Sequence, residues 1–96
     1  MNKYESVIIV KPNLSKAELA KVTSKVENKI NELAKLTNKE DYGVKKLAYE
    51  IRKNKEGHYL IYQFEVNSNN KEKATREIER LYRITDEIIK YIIVKM

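Results

Sequence analysis

The chain of 96 residues contains no cysteine, which excludes disulfides, thiolate zinc sites, iron–sulfur clusters and cysteine nucleophiles. Residence inside the cell is the expectation that follows. Histidine occurs once, as His58, in a stretch expected to lie at a hairpin, so it has no partner for His-based acid–base or metal chemistry and reads as a turn or surface residue. Glycine occurs twice and proline once, and no Gly-rich phosphate loop is present. Glu40 and Asp41 are adjacent in a stretch read as a solvated loop, which does not suit general acid–base work. No catalytic residue, metal site, cofactor or small-molecule substrate is therefore expected. Long apolar runs are missing too. Near the N-terminus "MNKYESVIIVKPN" has only four consecutive apolar residues before Lys11 and Pro12, too few for a signal core or a membrane span. An untargeted chain with no membrane association is expected.

What is present is charge and period. Twenty Lys and Arg against 14 Asp and Glu give a net charge of +6, which favours polyanionic partners, nucleic acid above all. An apolar content of 42% at this length suits one compact domain, residues 1–96, without linker, repeat or low-complexity segment. The apolar spacing predicts a first strand over residues 4–10, stopped by Pro12. Ser15 with Glu18 forms a capping box that opens a helix whose stripe is Leu19, Val22, Val26, Ile30 and Leu33, ending near Leu36. "LTNKEDYG" reads as a connection into a second strand from Val44 to Arg52, with Leu47, Tyr49 and Ile51 on one face, assigned to the core. "KNKEG" reads as a turn using positive φ at Gly57, and "HYLIYQFEV" as a third strand. Asn69 with Glu72 predicts a second helix start, with Ala74, Ile78, Leu81 and Thr85 in helical spacing, and "KYIIVK" closes as a fourth strand.

The order βαββαβ with right-handed crossovers places both helices on one face of a four-stranded antiparallel sheet, a ferredoxin-like α+β fold. The first and third strands are then central, and "KKLAYEI" is an edge that can accept another chain. Alternation turns Leu60, Tyr62, Phe64, Val66, Ile8 and Val10 inward, and turns Val7, Ile9, Tyr59, Ile61, Gln63 and Glu65 outward. In the fourth strand Ile92 and Val94 lie opposite Tyr91 and Ile93. Both faces of the central strands are thus apolar, whereas a face left to water normally alternates with polar residues. A covering partner is expected there, with Val7, Ile9, Ala48, Glu50, Tyr59, Ile61 and Ile92 as the contact residues.

The basic residues divide into two groups. Lys45, Lys46, Arg52, Lys53 and Lys55 have only Glu50 and Glu56 as nearby acids, so this hairpin can reach a phosphate backbone. Arg76, Arg80 and Arg83 lie within one arc of the second helix, a pattern that suits a phosphate-binding stripe with Arg80 and Arg83 as RNA contacts, although i, i+4 pairing of Glu72 with Arg76 and Glu79 with Arg83 offers an ordinary explanation for the charge. An acylphosphatase-like activity on this fold would want a glycine and an arginine after the first strand, and "VKPNLS" has neither. An RNA-recognition motif shares the topology and stacks bases on central-strand aromatics, but "GHYLIYQFEV" lacks its signature and the first strand offers aliphatics outward. A free-standing domain of that kind, or a small regulatory one, is the alternative function class.

Tyr4-Glu5, Pro12-Asn13-Leu14, "GVKKLAYEIRK" with "GHYLIYQFE", and "RITDEIIKYIIVK" resemble, in order and spacing, the bacterial ribosomal protein S-six family over nearly the whole chain. The resemblance implies a non-enzymatic structural component of the cytoplasmic small ribosomal subunit. It also implies binding to small-subunit (16S) ribosomal RNA together with ribosomal protein S-eighteen, by a chain that is monomeric when free. Lys45 and Lys46 match the family's basic pair, and Arg83 and Lys90 its basic residues around the last strand. The family commonly has arginine in that pair, and a lysine supplies a point charge without a bidentate fork. Glu50 stands where a proline is usual, which leaves an edge N–H that relatives lack.

Overall fold

The computed structural model describes residues 2–96. Its elements run β1 (Asn2–Val10), α1 (Lys16–Leu33), β2 (Lys35–Ile51), β3 (Asn54–Val66), α2 (Lys71–Ile84) and β4 (Ile88–Lys95). The sheet has the order β2-β3-β1-β4 with every neighbour antiparallel, so β1 and β3 are central as the βαββαβ reading requires. No helix among the described residues is long and apolar enough to cross a membrane.

The helix-covered face holds the main core. Val22, Val26 and Ile30 of α1 and Ala74, Ile78 and Tyr82 of α2 pack on Ile8, Val10, Leu60, Tyr62, Phe64 and Val66. Tyr91 and Ile93 of β4 extend this layer, and Tyr4 stacks on Phe64 with ring centroids 5.8 Å apart. One polar pair is sealed inside: the Ser6 and Tyr82 hydroxyls lie 2.8 Å apart, so neither is left unpartnered. Burial pushes the Tyr82 phenol up to about 12, against a smaller opposing effect of the Ser6 hydrogen bond.

At the start of α1 the capping box forms as its sequence demands. The Glu18 N–H donates to Ser15 Oγ at 3.2 Å and the Ser15 N–H to Glu18 Oε1 at 3.1 Å. The Ser15 backbone N–H first, and the Ser15 hydroxyl after it, hold the Glu18 carboxyl below the usual carboxylate range.

Several boundaries differ from the sequence reading, each for a local reason. α1 stops at Leu33, because Ala34 is already extended and Leu36 pairs with Phe64 in the sheet. "LTNKEDYG" is not a connection but the first half of β2, whose register shifts between Leu36 and Asn38 and again between Asp41 and Gly43. Glu40 and Asp41 therefore sit in a strand. His58 also lies in β3 rather than in a turn, and its Nε2 is 2.6 Å from Asp41 Oδ1. α2 is capped by Asn70 instead of Asn69, without a side-chain hydrogen bond.

The β2–β3 turn is tighter than expected. Ile51 pairs with Asn54, leaving Arg52 and Lys53 as a two-residue loop with φ of 47° and 66°. Gly57 has no positive φ; it lies in β3 opposite Lys45, where a Cβ would collide with Cγ2 of Ile9. Its glycine is required by close approach across the sheet, not by a turn.

Candidate protein and nucleic-acid interface

The helix-free face is graded along the strands. At one end Lys3 faces Glu65 at 4.0 Å, and the Gln63 amide donates to Glu5 Oε1 at 3.0 Å. The next row is apolar, with Ile61, Val7 and Ile92 side by side across β3, β1 and β4. The row after it places Tyr59, Ile9 and Lys90 abreast. Apart from the exposed Val94 beside Glu5, the outward aliphatics of these three strands thus fall in the half of the face nearest the β2–β3 hairpin.

That half is partly roofed by the hairpin itself. Between Lys46 and Ile51 the register of β2 on β3 slips, so residues 47–50 bulge out of the ladder. Leu47 and Ile51 do not join the core beneath the helices, as their alternation suggested. They pack on the opposite face with Ile9, Ile89 and Tyr59. Ile9 is consequently buried, by the hairpin and β4 rather than by a helix, whereas Val7, Tyr59 and Ile61 are half-buried and Ile92 is 51% exposed. Tyr49 reaches over the sheet to the far edge, where Lys90 Nζ donates to its hydroxyl at 2.7 Å and lies 5.2 Å from its ring centroid. Beneath this arm is a cleft of about 250 Å³ walled by Val7, Leu47, Ala48, Tyr59 and Ile92 among others, with Lys90 as its one cation. Glu50 stands exposed beside it.

The cationic residues frame the cleft on its β2 side. Lys45, Lys46, Arg52, Lys53 and Lys55 are all exposed, and none forms an ion pair among the described residues. Lys46 is directly across from Glu56 in the ladder without bonding it, and Lys45 lies 5.1 Å over the Tyr42 ring instead. The turn sharpens the point. Two left-handed residues in a two-residue hairpin call for Asn-Gly, and placing Arg52 and Lys53 there costs conformational energy on the order of 1 kcal/mol each. The tip thus carries two cations where its turn geometry favours other residues.

The pair below the tip is anchored differently. Burial pushes the Asp41 carboxyl up, but the Gly43 N–H at 2.8 Å and the His58 ring outweigh it and hold it below the usual range. Gly43, at φ 74°, supplies the left-handed residue of that bulge.

Arg80 and Arg83 are not part of this surface. They stand exposed on α2, in the layer on the other side of the sheet. The i, i+4 pairs expected for that helix do not form among the described residues, and Glu79 instead accepts from the Tyr91 hydroxyl at 3.3 Å. The sequence reading missed Tyr49, Leu47 and Ile89 as components of the helix-free face. The departure of "LAYE" from the ladder is set by the partner strand, and its own alternation carries no sign of it.

The chain resembles known proteins over nearly its whole length. The profile of the family described as "Ribosomal protein S6" matches residues 3–95. Small ribosomal subunit protein bS6 of Caldanaerobacter subterraneus subsp. tengcongensis is 35% identical, over 99% of this chain and 97% of that protein. The bS6 protein of Nitratiruptor is 36% identical over 99% of this chain and 72% of that one. The crystal structure of 30S ribosomal protein S6 from Thermotoga maritima superposes with a TM-score of 0.89 at 33% identity, covering 99% of this chain and 87% of that chain. On this agreement of sequence and fold, the chain belongs to the ribosomal protein S6 family, whose members are non-enzymatic structural proteins of the small ribosomal subunit.

Proposed function

We propose that the chain joins the small ribosomal subunit through two adjoining surfaces, contacting 16S ribosomal RNA with the cationic hairpin and ribosomal protein S-eighteen with the helix-free face. One observation carries the reading: five cations with no ion-pair partner among the described residues project from a hairpin whose base forms the wall of an apolar cleft. Each phosphate such a hairpin neutralises steepens the salt dependence of binding by about 0.7 to 0.9 log units. The outward aliphatics of β1 and β4 stack poorly on bases, so protein is the better occupant of the face and RNA of its margin. Lys90 lies across the cleft from these cations, on β4 at the opposite edge of the sheet.

Lys45→Ala with Lys46→Ala tests the margin. Affinity for the S-eighteen and 16S central-domain complex should fall, and the salt slope should flatten by about 1 to 2 log units. Val7→Asp or Ile61→Asp tests the face, and should weaken association with S-eighteen while the free protein stays folded. Unchanged affinity and slope in the first variant reject the charged margin; unchanged association in the second rejects the docking face. Cosedimentation of the chain with small subunits from lysate separates this reading from a free-standing RNA-binding domain.

A further inference from the structure

Arginine is scarce in this chain, at four residues against sixteen lysines, and three of the four are Arg76, Arg80 and Arg83. At about 100° per residue these three, with Lys73, occupy an arc of about 80° on α2, centred opposite the buried stripe of Ala74, Ile78 and Tyr82. All four are exposed, and none is in an ion pair among the described residues. The helix carries three carboxylates, Glu72, Glu77 and Glu79, which fall to the flanks of the arc; Glu79 is turned to Tyr91 of β4. The result is a ridge about 15 Å long at 1.5 Å per residue, without an acid on its crest. Its guanidiniums offer planar forks that match phosphate oxygens two at a time, which the lysines of the hairpin cannot do. The ridge also lies in the helix layer, separated from the hairpin and its cleft by the sheet.

We propose that this outer face of α2 is a second RNA-binding surface, which grips the phosphates of a stretch of RNA distinct from the one at the hairpin, so that the protein bridges two RNA segments. The proposal rests on the ribosomal RNA reading above and extends it to the opposite side of the molecule. Charge complementarity selects the occupant: a row of forked cations whose one exposed large apolar neighbour among the described residues of α2, Ile84, lies at the flank and not on the crest suits a phosphate backbone better than a folded protein surface, which would supply a hydrophobic centre.

The experiment uses the full chain and a 12-base-pair RNA duplex as probe, with stoichiometry from calorimetry and affinity by fluorescence anisotropy from 50 to 300 mM KCl. Two duplexes should bind the wild type at low salt. Arg76→Gln with Arg80→Gln and Arg83→Gln should leave one, with the lost site accounting for about 2 log units of salt slope. Lysine at the same three positions should keep the slope and lose affinity, since charge remains and the fork does not. A hairpin variant with Lys45, Lys46, Lys53 and Lys55 changed to Gln should also leave one duplex. One duplex on the wild type, lost with the hairpin changes but not with the arginine changes, overturns the ridge and leaves the hairpin reading standing. No duplex on the wild type overturns both. Poly-glutamate competing as well as the duplex for the ridge would assign it to acidic protein and overturn the RNA proposal.

Discussion

The two faces of this sheet bury apolar side chains on different terms. Under the helices, thirteen buried residues among those described form a closed layer in which even the Ser6 and Tyr82 hydroxyls satisfy each other. On the other face the buried apolar cluster among the described residues is Ile9, Leu47 and Ile89, covered by a bulged hairpin that leaves a cleft beside them. The first cluster has the completeness that stability needs. The second has an open side, and an apolar cluster that its own chain leaves unfinished is what a partner can finish.

The largest test of that contrast is a pair of truncations. Ile30→Ala opens a hole in the closed layer and should cost about 3 to 4 kcal/mol in chemical denaturation. Leu47→Ala enlarges an existing cleft and should cost about half as much, while weakening partner association more than Ile30→Ala does. Equal costs would make the hairpin cluster a second core and remove the distinction. Gly57→Ala comes next, since its methyl meets Ile9 Cγ2, and an overpacking penalty of about 1 to 3 kcal/mol is expected. Adding Ile9→Ala should recover part of it; no recovery would show that the close approach is not the cause.

Tyr82→Phe probes the sealed face and should cost about 1 to 2 kcal/mol, because Ser6 Oγ loses its partner in a dry site. The sign of its pH dependence follows from a phenol raised to about 12 from a model-compound value of 10.0. The contribution is complete below about pH 10 and is lost as pH rises through the folded value. The wild type should therefore destabilise over that alkaline range more steeply than the variant, and parallel alkaline limbs would contradict the assignment. The smallest effect is favourable. Arg52→Asn with Lys53→Gly should stabilise the hairpin by about 1 kcal/mol and flatten the salt slope for RNA by about 1 log unit or more. A variant that gains stability with no loss of slope would separate the tip from RNA contact.

Element order, central strands and both helices were legible because Leu60, Tyr62, Phe64 and Val66 alternate, and Val22, Val26 and Ile30 recur, against uniform surroundings. What escaped was set by neighbours. Residues 37–41 are strand because β3 supplies the ladder, although their side chains are exposed and two register shifts break their period. Leu47 changed faces through a bulge defined only by pairing. Gly57 looked like a turn glycine until the position of Ile9 explained it. The basic margin could be read directly, since its excess charge is local in sequence, but the cleft beside it joins residues 41 positions apart through Tyr49 and Lys90.

The irregular ladder of β2 has one more consequence. A seventeen-residue outermost strand, if straight, would be a template on which further copies could add end over end into fibres. Three interruptions of its pairing and the lysines along it spoil that template, so newly made copies can stay dispersed at high concentration until assembly consumes them.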